Sequence, residues 1–163
     1  MKQASSFAHK MLTAANLALE TITIGKDLML PIKAELDSPT LDASNQDINR
    51  GDVIILAWWL VTPTGAAVKS LIISENYIFG QQQKPGYDEG VMERAIDVDQ
   101  SGWSALCDAL PASPLEELIA ANIGMGVKGV TSLAKATSSM AVVLEVVTCD
   151  STGDPDRRNG GPK

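Results

Sequence analysis

Residues 51 to 79, GDVIILAWWLVTPTGAAVKSLIISENYIF, hold two long apolar, β-branched and aromatic runs either side of a Thr-Pro-Thr-Gly break. That pattern predicts a β-hairpin. On its first strand both alternating sets are apolar, which places that strand centrally, covered on both faces. The second strand divides by face, with Lys69, Leu71, Ile73, Glu75, Tyr77 and Phe79 sharing one side. Trp58 and Trp59 stand side by side, on opposite faces of the first strand.

Around this hairpin the chain reads as an N-terminal helical arm over 1–20, a β-rich domain over 21–149 and a disordered tail over 150–163. Phe7, Met11, Leu12, Ala15 and Leu19 recur at helical spacing. Residues 21–36 read as one bent strand or two short ones, interrupted at Gly25, and 37–52 as a polar loop. A short helix is expected over 99–110, with Trp103, Leu106, Cys107 and Leu110 on one side. Ser113, Pro114 and Glu116 form a capping-box start for another, running to about Ala121. Residues 125–134 and 139–149 read as strands. No internal repeat is apparent. The expected class is β-rich α+β: an OB-like small barrel or curled antiparallel sheet with two or three helices.

Several chemistries are disfavoured. With one histidine, His9, and two cysteines, Cys107 and Cys149, spaced 42 apart, the pieces of a zinc site or a nucleophilic triad are missing. Gly124, Gly126 and Gly129 match G-x-G-x-x-G, with Glu145 downstream where a ribose-binding acid would stand, but a helix rather than a strand is expected before them. Tight turning into a strand accounts better for those glycines. Asp150, Asp154 and Asp156 lack the spacing of a calcium loop. Asp97 and Asp99 read as a strand end or helix cap, or as a cation pair short of a third ligand. The chain is therefore expected to be non-enzymatic and to need no cofactor or metal.

Net charge is −7, which opposes nucleic-acid binding by bulk charge but permits a local groove. Single-strand binding needs aromatic faces and a few cations. Trp58 or Trp59, Tyr77 and Phe79 are the candidate faces, and Lys69, Lys84, Arg94 and Lys128 the candidate cations. The longest apolar run, residues 53 to 61, is nine long, well short of the roughly 20 needed to span a bilayer. A soluble, cytoplasmic protein with no membrane partner is expected.

The order of elements, with Leu106-Cys107, then Leu115-Glu116-Glu117-Leu118, then Gly124 and strands to Val147, resembles small phage-encoded single-stranded DNA-binding proteins of the OB fold. The resemblance spans about 22–149. It implies single-stranded DNA as partner, bound by stacking and backbone charge in the host cytoplasm. The N-terminal helix is an addition to that minimal fold and a candidate for homo-oligomer contacts. A tail holding Arg157, Arg158 and Lys163 departs from the acidic, partner-recruiting type. The alternative expectation is a virion structural or assembly protein of the head, neck or tail.

Overall fold

The computed structural model describes residues 19–83, 92–140 and 144–149. The expected N-terminal arm up to residue 18, Lys84, and the tail from residue 150 lie outside them. The fold is mixed α+β. Its strands do not close a barrel among the described residues. Instead they form one four-stranded parallel sheet and two two-stranded antiparallel ribbons.

The first ribbon pairs β1 (Thr21–Ile24) with β2 (Leu28–Pro31), as two short strands turning at Gly25. Strand β3 (Thr40–Asp42) follows, inside the stretch expected to be loop. The predicted hairpin is then replaced by a helix. Residues of its first run form α1 (Arg50–Leu60). Asn49 caps that helix, accepting from the Gly51 and Asp52 backbone, and Asp52 accepts from the Asn49 backbone in return. An apolar run with both alternating sets hydrophobic fits a strand or a buried helix equally. The capping pair and a length of 11 residues decide for the helix. Val53, Leu56, Ala57, Trp59 and Leu60 are buried along it.

After α1 the chain enters β4 (Ser70–Ile72), then the ribbon β5 (Gln81–Gln83) and β6 (Met92–Arg94). The expected second helix is present as α2 (Ser101–Ala109), with Trp103, Leu106, Cys107 and Leu110 buried as anticipated. The helix expected from Ser113 is instead strand β7 (Glu117–Ile119). The Ser113 hydroxyl donates back to the Leu110 carbonyl at 2.9 Å, ending the preceding turn rather than starting a new helix. The 125–134 strand is instead helix α3 (Val127–Thr137), and within the described part of 139–149 lies strand β8 (Val146–Thr148).

The main sheet has the order β3-β4-β7-β8, every pair parallel and in chain order. Its crossovers contain α1, α2 and α3 in turn, and α1 packs on α2 and α2 on α3. Crossovers of one hand in a sequentially ordered sheet put their helices on one face. Burial agrees. Leu71 and Leu118 are fully buried toward the helices, whereas their neighbours Ser70, Ile72, Glu117 and Ile119 are half-exposed on the other face.

The register exposes a repeat that the sequence conceals. Leu41, Leu71, Leu118 and Val147 stand in one row. Two residues on, Ala43, Ile73 and Ala120 are buried; seven residues on, Ile48, Ile78 and Met125 are buried. Four residues on, Asn45, Glu75 and Asn122 each adopt positive φ, turning the chain out of its strand at the same point. The β5–β6 insertion lengthens the middle unit and breaks the spacing.

One buried polar side chain ties the first two units together. Asn76 accepts from the backbone N–H of Gln46 and Ile48, and donates to the carbonyls of Ala43, Ile73 and Ser74. The β1–β2 ribbon closes the first end of the stack. Ile24 and Leu30 enter the core there, the Trp59 indole donates to the Pro31 carbonyl at 2.6 Å, and Thr64 donates to Ile32.

Candidate binding surfaces

Two surfaces follow from this arrangement. The first is the sheet face opposite the helices. Thr40, Ser70, Glu117 and Val146 form one row across it, and Asp42, Ile72, Ile119 and Thr148 the next. None of these residues is buried. Ser70 donates to Glu117 within the first row. The face therefore pairs apolar Ile72 and Ile119 with the acidic groups of Asp42 and Glu117.

The second surface lies past the carboxyl ends of β3 and β4, where open parallel sheets commonly receive ligands. Asp47, Asn49, Arg50, Tyr77, Gly80 and Gln81 line a cleft of about 520 Å³. Beside it the Arg94 guanidinium lies 5.2 Å from the centre of the Tyr77 ring and pairs with Glu75 at 2.7 Å. Glu75 also accepts from Asn122 at 2.8 Å. Arg50, at the mouth, pairs with Asp99 at 2.6 Å.

Of the described residues expected to bind nucleic acid, Tyr77 and Arg94 are brought into contact. Phe79 and Trp59 are fully buried and offer no face for stacking; the Phe79 ring packs 5.6 Å from Trp103. Lys69 precedes β4 while Tyr77 follows it, so the two sit at opposite ends of the sheet, and Lys69 pairs with Glu116 at 2.7 Å. The shared face expected of Lys69, Tyr77 and Phe79 fails because β4 is only three residues long. Lys128 is exposed in the first turn of α3, where its backbone N–H donates to Asp97. Lys84 is outside the described residues.

The glycine motif also acquires a plain role. Gly124 takes φ 82° in the turn, and Gly126 and Gly129 flank the start of α3. Asp97 already occupies the position a phosphate would take there. Its carboxylate accepts from the backbone N–H of Gly126 at 2.9 Å, Lys128 at 2.7 Å and Gly129 at 3.0 Å. Burial pushes the Asp97 pKa up, but the Gly126 bond, the Gln100 amide and the Lys128 and Gly129 bonds outweigh it, so the net shift is downward. Asp99 does the same for α2. It accepts from the Ser101 hydroxyl and backbone, which with Arg50 lower its pKa against slight desolvation. Of the readings open for Asp97 and Asp99, helix capping is the one the geometry bears out.

Cys107 and Cys149 are not joined by a disulfide. Burial and the neighbouring Asp108 charge push the Cys107 thiol up to about 12, the opposite of what a nucleophile requires. Among the described residues no cluster of His, Cys, Asp and Glu is fit to hold a metal ion, and no helix is long and apolar enough to cross a membrane. The open face was missed in the sequence because its strands were not placed; the signal was the recurring Leu-x-Ala or Leu-x-Ile ahead of Asn or Glu. Comparison with family models, curated proteins and solved structures finds no match to the chain.

Proposed function

We propose that this chain is a non-enzymatic binding module of the repeat-solenoid kind that receives a protein partner on its open sheet face. The observation that carries the reading is the chain-ordered parallel sheet with its helices on one side. All-parallel sheets are otherwise covered on both faces. Solenoids are the architecture that leaves one face open, and they use it for recognition. The second unit supports this further. Val68-x-x-Leu71-x-Ile73-x-x-Asn76-x-Ile78 resembles the eleven-residue leucine-rich-repeat pattern, and each named residue in it is fully buried. The third unit follows with Leu115, Leu118, Ala120, Ile123 and Met125.

The surface chemistry favours one kind of partner. Ile72 and Ile119 beside Asp42 and Glu117 fit an apolar side chain flanked by Lys or Arg. An assembly role in a virion is one setting for such contacts. To test the reading, ligands are selected from a random-peptide library against the full chain. Basic, apolar peptides are expected, with binding lost in Ile72→Lys and Glu117→Lys while the melting temperature holds. Peptides that bind both variants as tightly as the parent would place recognition elsewhere.

Single-stranded DNA binding is the second reading, supported by Arg94 over Tyr77 at the edge of the carboxyl-end cleft. Anisotropy of labelled oligo-dT at low salt separates the two. Saturable binding, abolished in Tyr77→Ala and Arg94→Ala, favours DNA; a flat titration leaves the protein-binding module.

A further inference from the structure

The two ends of the sheet are finished differently, and the difference defines a surface distinct from the open face. At the β3 end the β1–β2 ribbon supplies Ile24 and Leu30 to the core. At the β8 end the row that buries Leu71 and Leu118 completely runs out at Val147, which is 44% exposed. Val146 is equally exposed beside it. Among the described residues β8 pairs only with β7, and no described strand lies along its other edge.

Helix α3 continues this surface. On one flank Ser132 and Lys135 face α2 across a cleft shared with Ser104, Cys107 and Asp108. On the opposite flank, away from α2, Val127, Val130 and Ala134 are exposed at a spacing of three and four. Strand edge and helix flank together are the layer on which a further β–α unit would stack.

We infer that this end is a two-fold interface between copies of this chain, β8 pairing antiparallel with its symmetry mate and the outer flank of α3 meeting the same flank of α3. Several features favour a second copy. Natural edge strands are guarded by charge or proline, and Val146, Val147 and Thr148 carry neither. A two-fold axis at Val147 sets Val147 against Val147 and Val146 against Thr148. It also sets Glu145 against Cys149 of the other copy, so no like charges are opposed. Lys128 and Lys135 lie off the joining flank. A chain of net charge −7 thus meets itself on an uncharged strip.

Light scattering coupled to size exclusion of the full chain tests this across a dilution series. The expected mass is twice 17.2 kDa. Val147→Lys and Val130→Glu should each raise the dimer Kd at least about tenfold with circular dichroism unchanged. A single-chain mass at every concentration overturns the inference, as does a dimer indifferent to both substitutions. Oxidation of Val147→Cys in a Cys149→Ser background supplies a readout that does not require disrupting the fold. A covalent dimer is expected there and not for Val61→Cys, an equally exposed valine at the end of α1. Failure of Val147→Cys to cross-link, or equal cross-linking by Val61→Cys, counts against the interface.

Discussion

The Asn76 side-chain amide donates to the Ala43 carbonyl at 2.7 Å, joining two units of the stack across 33 residues of chain. The same side chain accepts from the buried Ile48 N–H at 3.0 Å. The Ile48 N–H and the Ala43 and Ile73 carbonyls it serves are buried, and leaving such a donor or acceptor unpaired costs about 1–3 kcal/mol apiece. Asn76→Leu, which keeps the branched shape but puts bulkier methyl groups where the amide stood, leaves several of them unpaired. We expect it to lower the unfolding free energy by about 3 kcal/mol or more, measured by urea denaturation. A loss within experimental error would show that water or a shifted backbone replaces the amide.

Asp97 closes α3 from outside the helix, taking the place of an N-cap side chain that Gly126 lacks. Asp97→Ala should cost about 1–2 kcal/mol, the range for a lost N-cap. The pH dependence has a definite sign. With its folded pKa below the ordinary 3.8, Asp97 contributes stability that is present above that value and lost as pH falls through the folded pKa. The Asp97→Asn variant should therefore lose less stability than the parent between neutral pH and the acid limb. Parallel acid melting curves for the two proteins would contradict this.

Cys107 has the opposite dependence. Its folded pKa of about 12 stands above the ordinary 9.0, because burial, reinforced by Asp108, disfavours the thiolate. The unfolded chain releases the proton first, so stability is intact below pH 9 and declines as pH rises toward 12. Cys107→Ala should flatten that alkaline decline. In the native parent Cys107 should also resist a thiol reagent until the protein is unfolded. Fast labelling of Cys107 under native conditions would sink both expectations.

How much of this was legible in the chain depended on local signals. The β1–β2 turn at Gly25 and the α2 core face of Trp103, Leu106 and Leu110 were readable, because turn chemistry and helical spacing act within a few residues. The 51–60 run was not, since a run apolar on every face carries no period to separate strand from helix; the Asn49–Asp52 capping pair was the overlooked arbiter. The repeat was hidden for a different reason. Its strands are three residues long, and their partners are fixed only by long-range pairing such as Leu41 with Leu71. Of the residues expected to bind, Tyr77 and Arg94 stand together beside the cleft, whereas Phe79 and Trp59 are aromatic for the sake of the core. The open face needed the sheet before it had an outside.

The contact between α1 and α2 makes one more position critical. Gly102 sits in the first turn of α2, where an added Cβ would stand 2.6 Å from the Arg50 carbonyl oxygen and 2.9 Å from the Arg50 Cα. Both are backbone atoms of α1, so no side chain can swing aside to make room. The shift must be taken by the helix pair itself, or by the Arg50–Asp99 ion pair that spans the same junction at 2.6 Å. Alanine is the better helix former by about 1 kcal/mol, so an exposed Gly→Ala change at this position in a helix would stabilise. Here overpacking, worth about 1–3 kcal/mol, opposes that gain. Gly102→Ala should therefore be neutral to destabilising, and Gly102→Val, bulkier and β-branched, clearly destabilising. Chemical denaturation of the two variants checks the order, and a Gly102→Ala protein more stable than the parent would mean that α1 and α2 are not in close contact there.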